Sequence, residues 1–156
     1  MARFKFHRQP QLARPLAALL ARAAAVIQVI AQADCVLPIP MTSQRLAERG
    51  YNPAWLLTRQ LTLKLASPKA RADVLLRIRE SAPQRELRRR QRIHNLRGAF
   101  VVQPAHGAQV RQRRVVLVDD VMTTGATLRE AARALRQAGA ADVTAIVFAR
   151  TPEPGG

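Results

Sequence analysis

Two adjacent acids, Asp119 and Asp120, are the strongest candidates for chemistry in this chain of 156 residues. They follow four aliphatic residues, 115–118, and precede a short stretch rich in threonine and glycine. Four consecutive aliphatic residues predict a strand buried on both faces, as in a parallel sheet. Ligands of open α/β sheets bind beyond the carboxyl ends of the strands, so we expect a binding site at this turn.

The residue types around the two acids suit a phosphorylated sugar. The hydroxyls of a sugar diol can donate hydrogen bonds to paired carboxylates, which can also hold Mg²⁺. The loop after the acids offers backbone N–H groups, threonine hydroxyls and a helix N-terminus, which together bind anions, and a glycine that lets the backbone come close. We therefore expect ribose 5-phosphate here, with its diol on the acids. Its phosphate would lie in a loop formed by Val121, Met122, Thr123, Thr124, Gly125, Ala126 and Thr127.

Other types of site also place acids at the end of a strand, but each requires a second motif that this chain lacks. A Walker B acid requires the Gly-Lys pair of a Walker A motif, and a dinucleotide-binding turn requires G-x-G-x-x-G; neither occurs. A receiver-type acidic pocket would require a lysine downstream, whereas Lys5, Lys64 and Lys69 all lie upstream. The remaining alternative is a buried strand with an Asp-rich turn and no ligand, which the strand–turn–helix order disfavours.

Alternating helices and strands must position these residues. Apolar residues at helical spacing predict one amphipathic helix over residues 16–30, with a stripe of Leu16, Leu19, Leu20, Ala23, Ile27 and Ile30. Asn52 and Pro53 predict the start of a helix that runs to about Leu65, and another runs from Thr127 to Gly139. Further strands are predicted at 35–39, 74–78, 99–102 and 143–148, with Val74, Leu76 and Ile78 alternating in the second of these. The pattern predicts an α/β fold with a parallel sheet flanked by helices.

Length and composition predict a single domain. Residues 1–33 would be an N-terminal helical segment, 34–150 the core and 151–156 a loose tail. The only cysteine, Cys35, excludes a disulfide framework within the chain and a four-cysteine zinc site. Residues 1–33 superficially resemble an export signal, but Arg22 and Gln28 interrupt the apolar run. We expect a cytoplasmic protein with no membrane span.

The formal net charge of +16 predicts an acidic partner. Residues 69–114 contain thirteen Lys/Arg and three acids, a net charge of +10 in the middle third of the chain. Such a balance suits either phosphorylated substrates or nucleic acid. The alternative explanation is arginine-rich coding in a GC-rich genome.

Residues 115–127 resemble the phosphoribosyl pyrophosphate (PRPP) signature of type I phosphoribosyltransferases along all thirteen positions. The loop after Ile39 resembles the pyrophosphate loop of these enzymes in position; it carries Arg45 and Arg49, which could instead merely solvate a surface loop. Over residues 34–150 the chain resembles the ComF family of competence-associated phosphoribosyltransferase-like proteins. The motifs that carry this resemblance are Pro38-Ile39-Pro40, Arg45-Leu46, Arg49-Gly50-Tyr51-Asn52, Gln84, Leu87, Arg92, Asn95, Gly98-Ala99-Phe100 and the PRPP signature itself.

The resemblance implies a Rossmann-like, type I phosphoribosyltransferase fold and a site that uses Mg²⁺. Asp119 and Asp120 would hold the metal directly or through water or substrate. A mobile loop over residues 80–95 would close on the site, with working positions at Gln84, Arg92 and Asn95. Many family members carry a four-cysteine zinc ribbon, which a chain with one cysteine cannot form. We expect a short member that lacks the ribbon, and the alternatives are a truncated reading frame or a family branch without it.

Three functions remain open at this point. The first is a glycosyltransferase that moves a phosphoribosyl group from PRPP to an unknown acceptor in connection with DNA uptake. The second is a competence module that binds single-stranded DNA or a helicase partner, and the third is a PRPP sensor. A homodimer is also considered.

Overall fold

The computed structural model of this chain describes residues 9–79 and 97–151. Its helices and strands, in chain order, are α1 (Ala13–Leu20), α2 (Ala24–Gln32), β1 (Cys35–Pro38), α3 (Ser43–Arg49), α4 (Pro53–Lys64), β2 (Leu75–Arg77), β3 (Phe100–Val102), β4 (Arg114–Met122), α5 (Ala126–Gln137) and β5 (Asp142–Arg150). Short 3₁₀ helices span Pro10–Leu12 and Pro104–Gln109.

The main sheet is parallel, with the strand order β1-β4-β5. β4 lies in the centre, with Leu117 paired to Leu37 of β1 on one side and to Ala145 of β5 on the other. A single parallel bridge between Val36 and Ala70 extends the sheet beyond β1. The predicted parallel sheet is therefore confirmed.

Helices cover both faces of this sheet because alternate residues of a strand point to opposite faces. Val115 and Leu117 lie in a buried cluster with Leu128, Ala131 and Leu135 of α5. Val116 and Val118 lie in a second cluster, packed against residues of α1, α2 and α4, namely Leu16, Ala17, Ile30, Leu57 and Leu61. The four aliphatic residues of β4 are thus buried on both faces, as their sequence predicts.

The helix predicted over residues 16–30 is wrong as a single element. α1 and α2 are separated at residues 21–23 and meet at an angle of 97°. A straight helix of this length would span about 22 Å, whereas three strands span only about 15 Å. The bend lets Leu16 and Ile30 reach the same buried cluster, and it leaves Leu19 and Ile27, both on the predicted stripe, exposed. In the described part of the chain, no single helix is long and apolar enough to cross a membrane, although this bent pair passes the same test of length and composition.

The strand predicted at 74–78 exists but does not join the parallel sheet. β2 pairs with β3 in a separate antiparallel sheet of two strands. Leu75 is buried and Arg77 half-buried, whereas Leu76 and Ile78 are exposed, so the apolar alternation does not mark the buried face. Phe100 of β3 packs into the core, and the Arg77 guanidinium lies 5.5 Å from the centre of its ring.

Candidate functional site

The two acids lie on a strand rather than after it. β4 continues to Met122, and Asp119 is still in register with Val147 of the neighbouring strand. The backbone N–H of Thr151 donates to the Met122 carbonyl at 3.0 Å and holds the end of β4 beside β5. The acidic side chains therefore project from a backbone that the sheet holds in place.

Burial and mutual repulsion set the protonation of the acid pair. Oδ1 of Asp119 accepts a 3.0 Å hydrogen bond from the N–H of Asp120, whose own Oδ1 accepts from Val121 N–H at the same distance. Burial, followed by the negative charge of Asp120, raises the pKa of Asp119 to about 8, and the positive charge of Arg77 partly opposes this rise. Oδ2 of Asp120 is buried and has no hydrogen-bond partner. The pair therefore combines a carboxyl group that retains its proton near neutral pH with a buried oxygen whose capacity to accept a hydrogen bond is unused.

The turn after β4 presents polar groups at the N-terminus of α5. Gly125 occupies the N-cap position with φ of 72°, a left-handed conformation that glycine adopts without strain, and it has no side chain with which to cap the helix. The hydroxyl of Thr124 accepts from Ala126 N–H at 3.3 Å. The remaining N–H groups of the first turn have no partner within a helix, which makes this end suitable for an anion. All seven predicted loop residues, 121–127, lie at the end of β4, in this turn or in the first turn of α5.

Arg129 adds a positive charge that the sequence analysis missed. Its Nη1 donates to the Thr124 carbonyl at 3.0 Å, so its guanidinium lies over the turn. A side chain in the first turn of a helix points back toward the N-terminus, and an arginine four residues after the turn glycine was the available signal. Arg77 also acts on the acid pair through its positive charge, and the apolar alternation around it in sequence gave no sign of this.

The loop after β1 reaches the same edge of the sheet. Ile39 N–H donates to the Val118 carbonyl at 2.9 Å, directly before the acid pair. Asn52 ties this point to α4, because its Nδ2 donates to the Ile39 carbonyl at 3.0 Å while its Oδ1 caps the helix by accepting from Ala54 N–H at 3.0 Å. Thus the cap predicted at Asn52 also positions the loop.

Arg45 and Arg49 lie on a helix instead of in the predicted irregular loop. Residues 43–49 form α3, capped by the Thr42 hydroxyl at one end and ended by Gly50 in the left-handed conformation. The two arginines are four residues apart and so lie on one side of this helix, with Arg45 exposed and Arg49 half-buried. α3 follows β1 at the carboxyl edge of the sheet, the edge that also carries the acid pair. The predicted mobile loop over 80–95, with Gln84, Arg92 and Asn95, falls outside the described residues.

The acid pair fits Mg²⁺ only in part. Within residues 9–79 and 97–151, no group of three or more His, Cys, Asp or Glu side chains could hold a metal ion. Mg²⁺ is commonly held by one or two carboxylates together with substrate phosphates and water. Asp119 and Asp120, with the unpaired Oδ2 of the latter, match that arrangement, in which the substrate supplies the other ligands.

Residues 46–155 match the model of the phosphoribosyl transferase domain. The chain belongs to this family. The phosphoribosyl transferase match includes the diacid, the turn and α5, together with Arg49 but not Arg45.

Curated relatives of this phosphoribosyl transferase domain confirm the resemblance to the ComF family. Competence protein F of Haemophilus influenzae is 36% identical over 95% of this chain and 65% of its own length. The DNA utilization protein YhgH of Salmonella typhimurium is 34% identical over 94% of this chain and 64% of its own length. The chain therefore spans slightly less than two thirds of the length of these relatives.

The solved structures confirm the fold. The glutamine PRPP amidotransferase of B. subtilis, complexed with ADP and GMP, superposes with a TM-score of 0.57 over 89% of this chain and 26% of its own, at 20% identity. At that identity the likeness concerns the fold alone. The predicted type I phosphoribosyltransferase fold is thus confirmed.

Proposed function

We propose that this protein binds Mg²⁺–PRPP or ribose 5-phosphate at the turn between β4 and α5 and transfers the phosphoribosyl group to an acceptor. The observation that carries the proposal is the placement of the acid pair near the end of β4, where a short turn leads to a helix whose N-cap residue, Gly125, has no side chain. The acids would bind the 2- and 3-hydroxyls of the sugar, and the turn with Arg129 would bind the 5-phosphate.

The transfer would break the bond between the anomeric carbon and pyrophosphate and form a bond to the acceptor. Positive charge develops on the sugar in an oxocarbenium-like transition state, so catalysis consists mainly of positioning and of stabilising charge. Asp119 and Asp120 would lie near that positive charge. Arg45 and Arg49 would neutralise the departing pyrophosphate from the loop side, and bound Mg²⁺ would supply further positive charge to the phosphate oxygens.

Calorimetric titration with Mg²⁺–PRPP tests this proposal. We expect saturable binding to the wild-type protein and none to the variant carrying Asp119→Asn and Asp120→Asn, with both proteins folded by circular dichroism. Release of pyrophosphate in a screen of nucleobases and other nucleophiles would then identify the acceptor. Unchanged affinity in the double variant would contradict the proposed site.

Alanine substitutions at two glycines distinguish an effect on ligand binding at the turn from a general loss of stability. Gly125 and Gly50 both have left-handed backbones, but a Cβ at Gly125 would lie 3.2 Å from Nη1 of Arg129, whereas one at Gly50 would meet nothing within 4 Å. Both alanine variants should lose roughly 1–2 kcal/mol of stability. Only Gly125→Ala should also weaken the binding of ribose 5-phosphate, because it displaces Arg129 from Thr124.

The names of the relatives, competence protein F and DNA utilization protein, favour a connection with DNA uptake. A second candidate function is therefore binding of single-stranded DNA, supported by the net charge of +10 over residues 69–114.

The affinity for single-stranded DNA should fall steeply with salt, with a log–log slope of about −0.7 per phosphate contact. Replacing Arg88, Arg89 and Arg90 with alanine should flatten that slope for every sequence alike. Fluorescence anisotropy of labelled DNA across a salt series measures this affinity. If no binding occurs at low salt, the positive charge reflects coding bias and not DNA binding.

A further inference from the structure

A cavity of about 710 Å³ lies beside the candidate phosphosugar site and includes none of its acids or turn residues. Its walls come from the loop after β1, from α3, from the start of α4 and from β2. This volume falls within the range of about 300–1,000 Å³ that is usual for small-molecule sites and is far too small for a folded partner. The cavity therefore lies outside the acid pair and the turn, although the loop after β1 and α3, which form part of its wall, also carry the arginines proposed for pyrophosphate.

The wall of the cavity is apolar and aromatic. Trp55 and Tyr51 contribute rings, and Leu46, Leu76 and Ile78 contribute aliphatic surface. These three aliphatic side chains are 44%, 38% and 58% exposed, so they leave their apolar surface in solvent at the cavity. Exposed aliphatic residues from two different elements that converge on an aromatic wall are typical of a binding site for an apolar ligand.

A single charged side chain lines the cavity among the described residues. It is Arg77, and the other wall residues that the structure describes are uncharged. Arg77 is half-buried, and its Nε donates to the Arg79 carbonyl at 3.2 Å, which restrains the guanidinium. A restrained guanidinium in a largely apolar cavity favours an anionic group, above all a planar carboxylate.

We propose that this cavity binds a planar aromatic carboxylate, with the ring against Trp55 and the leucines and the carboxylate against Arg77. The aromatic walls select a flat, apolar body, and the charge of Arg77 selects an anion. The proposal holds whether or not Mg²⁺–PRPP binds at the acid pair, because the two sites share no acidic or turn residue.

Trp55 provides a specific reporter because it is the only tryptophan of the chain. Its indole N–H gives one cross-peak in a ¹H–¹⁵N correlation spectrum, which ligand absorbance does not affect. We would titrate the wild-type protein with 2-naphthoate, with its neutral isostere 2-naphthamide and with the non-aromatic anion cyclohexanecarboxylate. We expect a saturable shift with 2-naphthoate, binding of 2-naphthamide that is about 10-fold weaker, and the weakest binding with cyclohexanecarboxylate.

Three variants locate the binding. Arg77→Gln should weaken 2-naphthoate about 10-fold and leave 2-naphthamide unchanged, which also shows that the cavity is intact. Leu46→Gln should weaken both naphthyl probes about equally. Leu63→Gln is the matched control, since Leu63 is a 71% exposed leucine of α4 that does not line the cavity, and it should change neither affinity.

Three results would overturn the proposal. The first is the lack of a saturable shift of the Trp55 signal with 2-naphthoate at millimolar concentration. The second is an equal response to cyclohexanecarboxylate, which would indicate attraction of any anion to a protein of charge +16. The third is an equal loss of affinity in Leu63→Gln and Leu46→Gln, which would indicate binding to exposed leucines in general.

Discussion

At the scale of single residues, the acid pair is held in a conformation that disfavours full ionisation. Asp119 and Asp120 were predictable from sequence as a pair, because two acids directly after four aliphatic residues are unusual. The protonation of the pair was not predictable, since it depends on how deeply β4 carries the carboxyl groups into the fold and on Arg77, which approaches from β2. Likewise, the position of Arg129 four residues after Gly125 was a sequence signal, but its hydrogen bond to the Thr124 carbonyl is visible only in the structure.

The raised pKa of Asp119 predicts a pH dependence of stability in the absence of Mg²⁺. The folded protein holds this proton more tightly than the unfolded chain, because the pKa is about 8 rather than 3.8. The contribution of Asp119 to stability is therefore full below about pH 4 and is lost as the pH rises toward 8, with a slope of at most ~1.4 kcal/mol per pH unit.

Urea denaturation between pH 4 and 8, with EDTA present, measures this dependence. Asp119→Asn should flatten the decline in the free energy of unfolding, because an amide does not titrate. Asp142→Asn, a change at an exposed acid at the start of β5, is the control and should leave the decline in place. A decline that is the same in Asp119→Asn and in the wild type would contradict the assignment.

At the scale of elements, local capping signals predicted more than apolar periodicity did. The start of α4 at Pro53 and the end of α5 before Gly139 agree with the sequence signals, because the cap proline and glycine act on their own backbone. The periodicity over residues 16–30 did not reveal the bend, since that bend follows from the width of the sheet beneath. The same limit applies to β2, whose buried face is set by its packing on the core and not by its own sequence.

The dual role of Asn52 gives a prediction at this scale. Asn52→Ala removes both the cap of α4 and the tie to Ile39, and should cost about 1–2 kcal/mol of stability. Asn52→Asp retains an oxygen for the cap but loses the donor to the Ile39 carbonyl. We expect it to preserve most of the stability while it weakens Mg²⁺–PRPP binding, because the loop after β1 is no longer held. Urea denaturation and calorimetry of the two variants measure the two effects separately, and equal stability losses would mean that the cap contributes little.

At the scale of the whole molecule, the site is assembled from two parts of the chain that are far apart in sequence. The acids and the turn belong to the continuous segment from β4 through α5 to β5. The arginines of α3 belong to the other part, which joins the sheet where β1 meets β4. At that junction the Asp34 carboxylate accepts from the N–H of Arg114, 80 residues away, at 2.8 Å.

This long separation has a consequence for the order of folding. Contacts between β4, α5 and β5 close short loops, whereas pairing β1 with β4 closes a long one, which costs more entropy. We therefore expect the segment from β4 to β5 to form the folding nucleus and β1 to join it later. Two fully buried leucines test this order, Leu135 of α5 and Leu37 of β1. In stopped-flow experiments Leu135→Ala should mainly slow folding, and Leu37→Ala should mainly speed unfolding. The opposite pattern would place β1 in the nucleus. The expected pattern means that the turn proposed to bind the phosphate forms before α3, with its arginines, joins the fold.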